Sequence, residues 1–581
     1  MEKVWTVSTP PAATDTTDGY LATLHPLVQQ LLRSRGMHTA ESAEKFLTPR
    51  YDRDVHNPFL FRDMRRAVDR VWLAIASQDL IIVHGDYDAD GVCGAAILCT
   101  TLRALGANVE SFLPHREHDG YGLNKKTVDT LHERGARLII TCDCGVSNGA
   151  EIAHANTYGI DVIITDHHQV PPIIPEAFAI LHPKVDGETY PDQTLSGGGV
   201  AFKLAQGLLA EHRARGNQTI AGMPHEGFEK WLLDLVAISS VADMVPLLHE
   251  TRALTRFGLV VLNKTRRIGL QKLLETTGRK ERTMDTTTIG FKIAPRINAA
   301  GRMDHASEAL ALLMSETEEE AQPIAERIHS YNTLRQKLTE ELTKRGRELV
   351  RTTHDTENDP ILFVRGDGWS PGVIGLIASR LKDDYNKPVI VLGQAGDSYV
   401  GSGRSVETFH ITNALHEVAP YLLKFGGHPQ ACGFTLKSRD VYDEFCAALT
   451  EVAKRRLVES PTAPPILEID AELNLDTIDT RLVQVLEQFA PFGIGNNEPT
   501  FVARGVIVVE SLGMGSTQNH TRLTLQQSDR GRPMKFVAFF SKLWQRVERG
   551  MRVDVVFQLG TNEWNGRQEI ECKIIDLKPL V

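Results

Sequence analysis

Leu80-Ile81-Ile82-Val83-His84-Gly85-Asp86-Tyr87-Asp88-Ala89-Asp90-Gly91 decides the fold. Its first four residues are a short apolar run of the kind that forms a strand buried on both faces. The run breaks off into an imidazole and closely spaced carboxylates. Two later stretches repeat the design. Leu138-Ile139-Ile140-Thr141 runs into Cys142-Asp143-Cys144-Gly145, and Val162-Ile163-Ile164-Thr165 into Asp166-His167-His168. Strand and helix patterns alternate from about residue 77 onward, which predicts a parallel sheet in an α/β domain. Ligands of open α/β sheets bind beyond the carboxyl ends of the strands, so the three polar clusters should share one edge. A fourth apolar run, Leu232 to Ile238, leads through Ser239-Ser240-Val241-Ala242 to Asp243, a further carboxylate for that edge.

His84, Asp86, Asp88, Asp143, His167 and Asp243 together suit a divalent-metal centre. Crowded carboxylates repel, and some stay protonated unless cations neutralise them. Oxygen ligands favour hard divalent ions, and the added imidazoles shift the preference towards manganese. So many ligands exceed the needs of one catalytic ion. We therefore expect two ions, Mn2+ or Mg2+, with Asp143 as the bridging carboxylate. Such centres clamp phosphate oxygens and promote in-line displacement. Neither a Ser-His-Asp nucleophile nor a Walker loop is found. Asp86 and Asp88 alternate on extended backbone and so point the same way. Singly, Asp-x-Asp reads as a turn, His-His as a solvated pair and Asp90-Gly91 as a turn or helix cap. Their shared position at successive strand ends carries the metal reading.

With 581 residues, the chain is long enough for three or four domains. Residues 1–76 read as a helical segment and 77–313 as the α/β domain with the metal cluster. Residues 314–352 read as a connecting helix, with Ser315 and Glu318 as a capping box. Its apolar face is Ile324, Ile328, Tyr331, Leu334, Leu338 and Leu342, and Pro323 should kink it or mark its start. A second α/β domain spans 353–460, punctuated by glycine-rich turns at Gly401-Ser402-Gly403-Arg404 and Gly426-Gly427-His428. Pro461 to Pro465 reads as a linker. Short strands at Val506–Val509, Thr521–Leu525 and Val553–Phe557 then predict a small β-barrel over 466–581. No apolar run reaches the length of a membrane span, and Met1 to Thr17 lacks a secretory pattern, so a cytoplasmic location is expected. The seven scattered cysteines read as free thiols. The net charge of −10 counts against a nucleic-acid binder. Metal-bound carboxylates offset part of it, and binding needs only a basic stripe. The basic stretch Asn263 to Arg282 reads as a solvated helix face.

These residues resemble the DHH phosphoesterase superfamily, whose signature is the run at Asp166-His167-His168. The resemblance implies that His84, Asp86, Asp88, Asp143, His167 and Asp243 are metal ligands. Asp86, Asp88 and Asp143 then serve catalysis, and His168 supports it or orients the scissile phosphate. Later strings resemble the RecJ-type exonuclease branch. They are Pro114 to Leu123, containing Arg116 and Tyr121, and Ile293 to Met303, containing Arg296, Asn298 and Arg302. Trp369 to Gly375 and Gly426 to Gly433, with His428, resemble the DHH-associated domain, and Pro491 to Pro499 resembles the opening of an OB-fold domain. This branch implies 5′-to-3′ removal of mononucleotides from single-stranded DNA in recombination and repair. It further implies a cleft between the two α/β domains, a monomer, and single-strand-binding protein and a RecQ-type helicase as partners. Arg116, Arg296 and Arg404 suit bidentate phosphate contacts. The Ser402–Arg404 turn is the expected pocket for a terminal 5′ phosphate. Phe501, Phe536, Phe539 and Trp544 are candidates for base stacking on the barrel. The sequence departs from the pattern at Ser239-Ser240, where Gly-Thr is usual, and at Gly198 and Cys432, where Ala is common. An added stretch, Glu211 to Glu229, leaves either Asp243 or Asp234 as the fourth-motif carboxylate. Two other functions stay open: a DHH enzyme for short RNA or cyclic dinucleotides, and a non-catalytic DNA-binding scaffold.

Overall fold

The computed structural model describes residues 3–8, 23–278, 283–459, 464–564 and 567–580. Most of Met1 to Thr17, the last residues of the basic stretch (279–282) and most of the linker (461–463) lie outside the described residues. The chain forms two compact units. Over the described residues, the first comprises Pro58–Asp243 and Gly258–Pro465, and the second Glu2–Asn57, Met244–Phe257 and Ile466–Val581.

The first unit opens with a five-stranded sheet. Its strands are β1 (Leu80–Gly85), β2 (Val109–Phe112), β3 (Ala136–Cys142), β4 (Asp161–Thr165) and β5 (Ala179–Leu181), in the order β2-β1-β3-β4-β5. Every pairing is parallel, as the sequence predicts. Ile81, Ile82 and Val83 are fully buried, as are Ile139 and Ile140. Strands covered on both faces tolerate such continuous apolar runs. Helices α1 (Ala89–Ala104), α2 (Gly197–Ala214) and α3 (Leu233–Ala242) follow. The fourth apolar run is thus helical, and Asp243 is the C-cap residue of α3. The added stretch after Glu211 contains a small hairpin, Thr219–Ile220 with Met223–Pro224, and a helix, His225–Trp231. A π-helical turn, Ile289–Ile293, leads into α4 (Ala294–Met303).

The connecting helix α5 runs from Glu318 to Thr353. Its N-cap is Thr317, which accepts from the Glu320 N–H, whereas Ser315 caps the end of the preceding helix. The expected capping box is therefore replaced by a single side-chain cap two residues on, and Pro323 lies inside α5. The buried stripe also differs from the expected leucine face. It consists of Ala321, Ala325, Ile328, Asn332, Thr339, Thr343, Gly346 and Val350, while Leu334 is 47% exposed. Small residues win here because α5 packs closely on α6 (Pro371–Tyr385). Any Cβ at Gly346 would lie 3.1 Å from a Leu381 methyl.

The second sheet has strands β6 (Leu362–Gly366), β7 (Val389–Ala395), β8 (Ser398–Arg404), β9 (Leu422–His428) and β10 (Ala431–Leu436), in the order β9-β10-β8-β7-β6. The two predicted glycine-rich turns are strands. Gly401-Ser402-Gly403-Arg404 belongs to β8, paired on both sides, and Gly426-Gly427-His428 to β9. Glycine is needed at 401 because a Cβ there would lie 2.1 Å from the Phe434 ring on β10.

The second unit is built on a closed five-stranded barrel of β11 (Thr500–Met514), β12 (His520–Gln526), β13 (Met534–Ala538), β14 (Arg552–Trp564) and β15 (Arg567–Pro579). The order β11-β12-β13-β15-β14 closes through β11–β14. The N-terminal segment is not purely helical. Val4–Val7 pairs in parallel with Ile466–Ile469. Leu31, Leu32 and Phe46 join Phe489, Phe501 and Phe536 in one core. Arg252 is buried here and donates to the carbonyls of Phe46, Gln488, Ala490 and Pro491. Phe501 and Phe536 are therefore core residues rather than stacking platforms. Phe539 is half exposed beside exposed Phe540, and the Trp544 indole donates to the Gln518 carbonyl. Among the described residues, all cysteines are free and no helix is long and apolar enough to cross a membrane.

Candidate metal centre

At the end of β1 the Asp86 N–H donates to the Cys142 carbonyl, tying the first motif to β3. Asp88 then N-caps α1, accepting from the Asp90 and Gly91 N–H groups at 2.9 and 3.2 Å. A Cβ at Gly91 would lie 2.5 Å from the Asp86 nitrogen, so only glycine lets α1 start this close to the strand. Asp143, just past β3, takes a left-handed φ of 61°. This conformation is uncommon outside glycine but accessible to Asp. Its carboxylate nests against α2, where a Cβ at Gly197 would lie 2.5 Å from the Asp143 Cβ.

The side chains converge. His167 Nε2 lies 3.1 Å from Asp143 Oδ1, 3.5 Å from Asp243 Oδ2 and 3.6 Å from Asp90 Oδ2. Three sets of potential ligand atoms each lie within 4.8 Å: Asp86, Asp88 and Asp143; Asp143, His167 and His168; and Asp90, His167 and Asp243. Asp143 and His167 each belong to two sets. His84 belongs to none of these sets, and its ring lies against Phe112 at 5.4 Å. Asp234, the alternative to Asp243, is not in it. Buried on α3, Asp234 pairs with Arg267 at 3.0 Å.

Burial and mutual repulsion strain this cluster electrostatically. Burial, with Asp88 nearby, raises Asp86 well above the usual carboxylate range, and burial with Asp90 and Asp88 does the same to Asp143. Asp243 is pushed up to about 8 and Asp90 to about 6, again by burial first. Burial also lowers His84 to about 4 and His167 to about 3, so both imidazoles are neutral lone-pair donors. His84 Nε2 and Asp86 Oδ1 are buried without a hydrogen-bond partner. Oxygen-rich donors with neutral imidazoles and orphaned buried lone pairs fit hard divalent cations.

His168 is held differently. Its Nδ1 is 2.8 Å from Asp166 Oδ1 and 3.1 Å from the Tyr121 hydroxyl, which donates to the Asp143 carbonyl. Burial opposes its charge, but the hydrogen bond and charge of Asp166 outweigh this and raise it to about 9. Asp166 accepts from the N–H groups of Val146, His167 and His168. The His428 ring on β9 stacks 6.2 Å from the His168 ring.

The expected phosphate contacts are partly redistributed. Arg302 donates to the Gly372 carbonyl. Burial, with the like charges of Arg116 and Arg335, lowers it to about 9 against the pull of Asp88. Arg116 stacks on the Tyr87 ring at 3.8 Å. Buried Nε atoms of Arg116 and Arg335 have no hydrogen-bond partner. Arg404 donates to Ser402 Oγ and the Gly403 carbonyl, while Arg296 donates to the Lys292 carbonyl and His329. Ser402 and Arg404 lie on a strand whose backbone is already paired, so any anion would meet their side chains rather than a turn of free N–H groups. Asn298 uses its side-chain oxygen on the Ala89 N–H, which caps α1. Sequence reasoning missed Asp90, Asp166 and Arg335 as parts of the site, and Lys184, which donates to the His167 carbonyl. Asp90 continues the 86-88-90 alternation, a signal that could have been read. Lys184 leaves no such signal.

Family models match three segments of the chain: the DHH family N-terminal domain over residues 80–239, the DHHA1 domain over 358–455 and the RecJ OB domain over 469–576. The single-stranded-DNA-specific exonuclease RecJ of Bacillus subtilis is 37% identical over 95% of this chain and 68% of its own length. Its Escherichia coli counterpart is 32% identical over 97% and 98%. The crystal structure of RecJ from Thermus thermophilus in complex with Mn2+ superposes with a TM-score of 0.82 at 28% identity, covering 99% of this chain and 79% of that one. A crystal structure of exonuclease RecJ bound to manganese is 33% identical with a TM-score of 0.59, covering 69% and 98%. Agreement in domain order, in architecture and along nearly the whole length leads to one assignment: this chain belongs to the RecJ family of single-stranded-DNA-specific exonucleases.

Proposed function

We propose that this chain hydrolyses single-stranded DNA from the 5′ end, releasing 5′-mononucleotides in recombination and repair. One observation carries the reading: Asp86, Asp88, Asp90, Asp143, Asp243 and His167 gather in three overlapping sets of ligand atoms, joined through Asp143 and His167. Two ions, Mn2+ or Mg2+, would be held there by His84, Asp86, Asp88, Asp143, His167 and Asp243, with Asp90 as a further donor. When bound, they supply Lewis-acid polarisation of the phosphodiester and acidification of water.

The residues of the chain do the rest. Asp166 and Tyr121 fix the His168 ring through Nδ1, leaving Nε2 to donate to a phosphate oxygen. Arg116, Arg302 and Arg404 form a half-buried cationic group suited to the terminal 5′ phosphate, joined by Ser402 and His428. Unpartnered guanidinium nitrogen at Arg116 supports an anion there. The barrel, with exposed Phe539, suits the incoming strand. An enzyme for dinucleotides has no need of the RecJ OB domain, which disfavours that alternative. The cytoplasm is the fitting location and a monomer the fitting state. Single-strand-binding protein and a RecQ-type helicase are the partners that the family suggests.

The test is degradation of 5′-labelled and 3′-labelled single-stranded DNA with Mn2+, for wild type and Asp143→Ala. The expected result is immediate release of a labelled mononucleotide from the 5′ label, lost in the variant and on chelation. Shortening from the 3′ end, or an equally active variant, would overturn the reading.

A further inference from the structure

Ser239 holds one carboxylate that faces His167 through its side chain, and the backbone of a second through its own. Its hydroxyl donates to Asp90 Oδ1 at 2.5 Å, and its carbonyl accepts the Asp243 N–H at 3.0 Å. Asp90 also accepts from the Gly197 and Gly198 N–H groups at 2.8 and 2.7 Å. We infer that Ser239 is a positioning residue of the metal centre, fixing Asp90 relative to Asp243, and that Gly198 is its required counterpart. This rests on the metal reading given above.

The hydrogen-bond directions follow from chemistry. An ionised Asp90 only accepts, so Ser239 must donate to it. The Ser239 oxygen then accepts from Ser196 Oγ, 2.6 Å away, and Ser196 Oγ accepts the Gly199 N–H at 3.1 Å. Ser196 Oγ also lies 3.3 Å from Ser240 Oγ, a longer contact than the 2.6 Å to Ser239, and the shorter chain ends on the carboxylate. Ser196 is the N-cap of α2, so the helix start and the carboxylate are set by the same relay. Ser239 and Ser240 are buried, so no bulk water competes for these groups.

Space enforces the pairing. A Cβ at residue 198 would lie 2.5 Å from Ser239 Oγ, 2.8 Å from Ser239 Cβ and 3.3 Å from Asp90 Oδ1. A serine at 239 is therefore compatible only with glycine at 198. An alanine at 198 would have to displace the hydroxyl that holds Asp90.

The experiment is a Mn2+ titration of the metal-free full chain, followed by electron paramagnetic resonance of free Mn2+ and paired with thermal melting. It compares wild type, Ser239→Ala, Gly198→Ala and the double variant Gly198→Ala/Ser239→Gly. Ser239→Ala leaves the buried Asp90 carboxylate one donor short, so it should melt modestly below the wild type in the absence of metal. Its affinity for one class of Mn2+ site should fall roughly 10–100-fold, the range for lost outer-shell partners, with the other class unchanged. Gly198→Ala should lower the metal-free melting temperature. The double variant should regain the melting temperature but not the lost affinity. Wild-type titration by Ser239→Ala, or a wild-type melt for Gly198→Ala, would overturn the inference. So would an equal loss of affinity at both classes of site in Ser239→Ala, which would assign Ser239 to packing alone. A wild type that binds no Mn2+ would instead sink the metal reading itself.

Discussion

Asp143 satisfies two constraints at once: a left-handed backbone and a carboxylate pressed against the bare Cα of Gly197. Gly197→Ala would put a Cβ where the Asp143 side chain stands, so the carboxylate must move. Mn2+-supported DNA degradation should fall roughly 10–100-fold, as when a ligand loses its support. Equal rates for variant and wild type would show that Asp143 tolerates the shift. At this scale the sequence was informative where chain order does the placing. His84 lies near the end of β1, Asp86, Asp88, Asp143 and His167 follow strands of the same parallel sheet, and parallel strands carry their ends to one edge. Asp166 and Lys184 were not legible as supports. Their importance lies in hydrogen bonds to Val146, His168 and the His167 carbonyl, which depend on loop geometry that no local pattern encodes. Asp243 and Asp234 could not be separated by spacing either. The helix between them turns one towards His167 and the other towards Arg267.

Strands and helices show a different limit. Glycine was read as a mark of turns, yet in β8 it marks close packing of a neighbouring ring. Gly401→Ala should therefore cost about 1–3 kcal/mol through overpacking against Phe434, seen as a lower melting temperature. A turn at this place would instead tolerate alanine with little change. Helix α5 teaches the same lesson in reverse. Its leucines suggested a buried face by periodicity, but close approach to α6 selects alanine, threonine and glycine instead. Thr339 and Thr343 turn their hydroxyls back to the Arg335 and Thr339 carbonyls, which lets polar residues sit in the buried stripe. Periodicity finds amphipathic faces, whereas packing distance decides which face is used.

For the whole molecule, the decisive fact is that the second unit is assembled from segments far apart in sequence. The barrel was legible from its alternating strands, but the helices that complete its core were read as a separate N-terminal segment. No local signal links Leu31 or Phe46 to Phe501. A chain ending at Pro465 would strip Leu31, Leu32 and Phe46 of their partners, each burial being worth roughly 1.5–3 kcal/mol. Trypsin should then cut rapidly between Leu27 and Leu47, a stretch protected in the full-length chain. Equal protection in both would mean that these helices hold without the barrel. Strand Val4–Val7 meets Ile466–Ile469 only after about 460 further residues have been made. At roughly 5–20 residues per second, a ribosome needs about 23–92 s for that stretch. Through that interval the helices that follow Val4–Val7 wait with an uncovered apolar face, so a segment made well before the barrel is among the last able to finish folding.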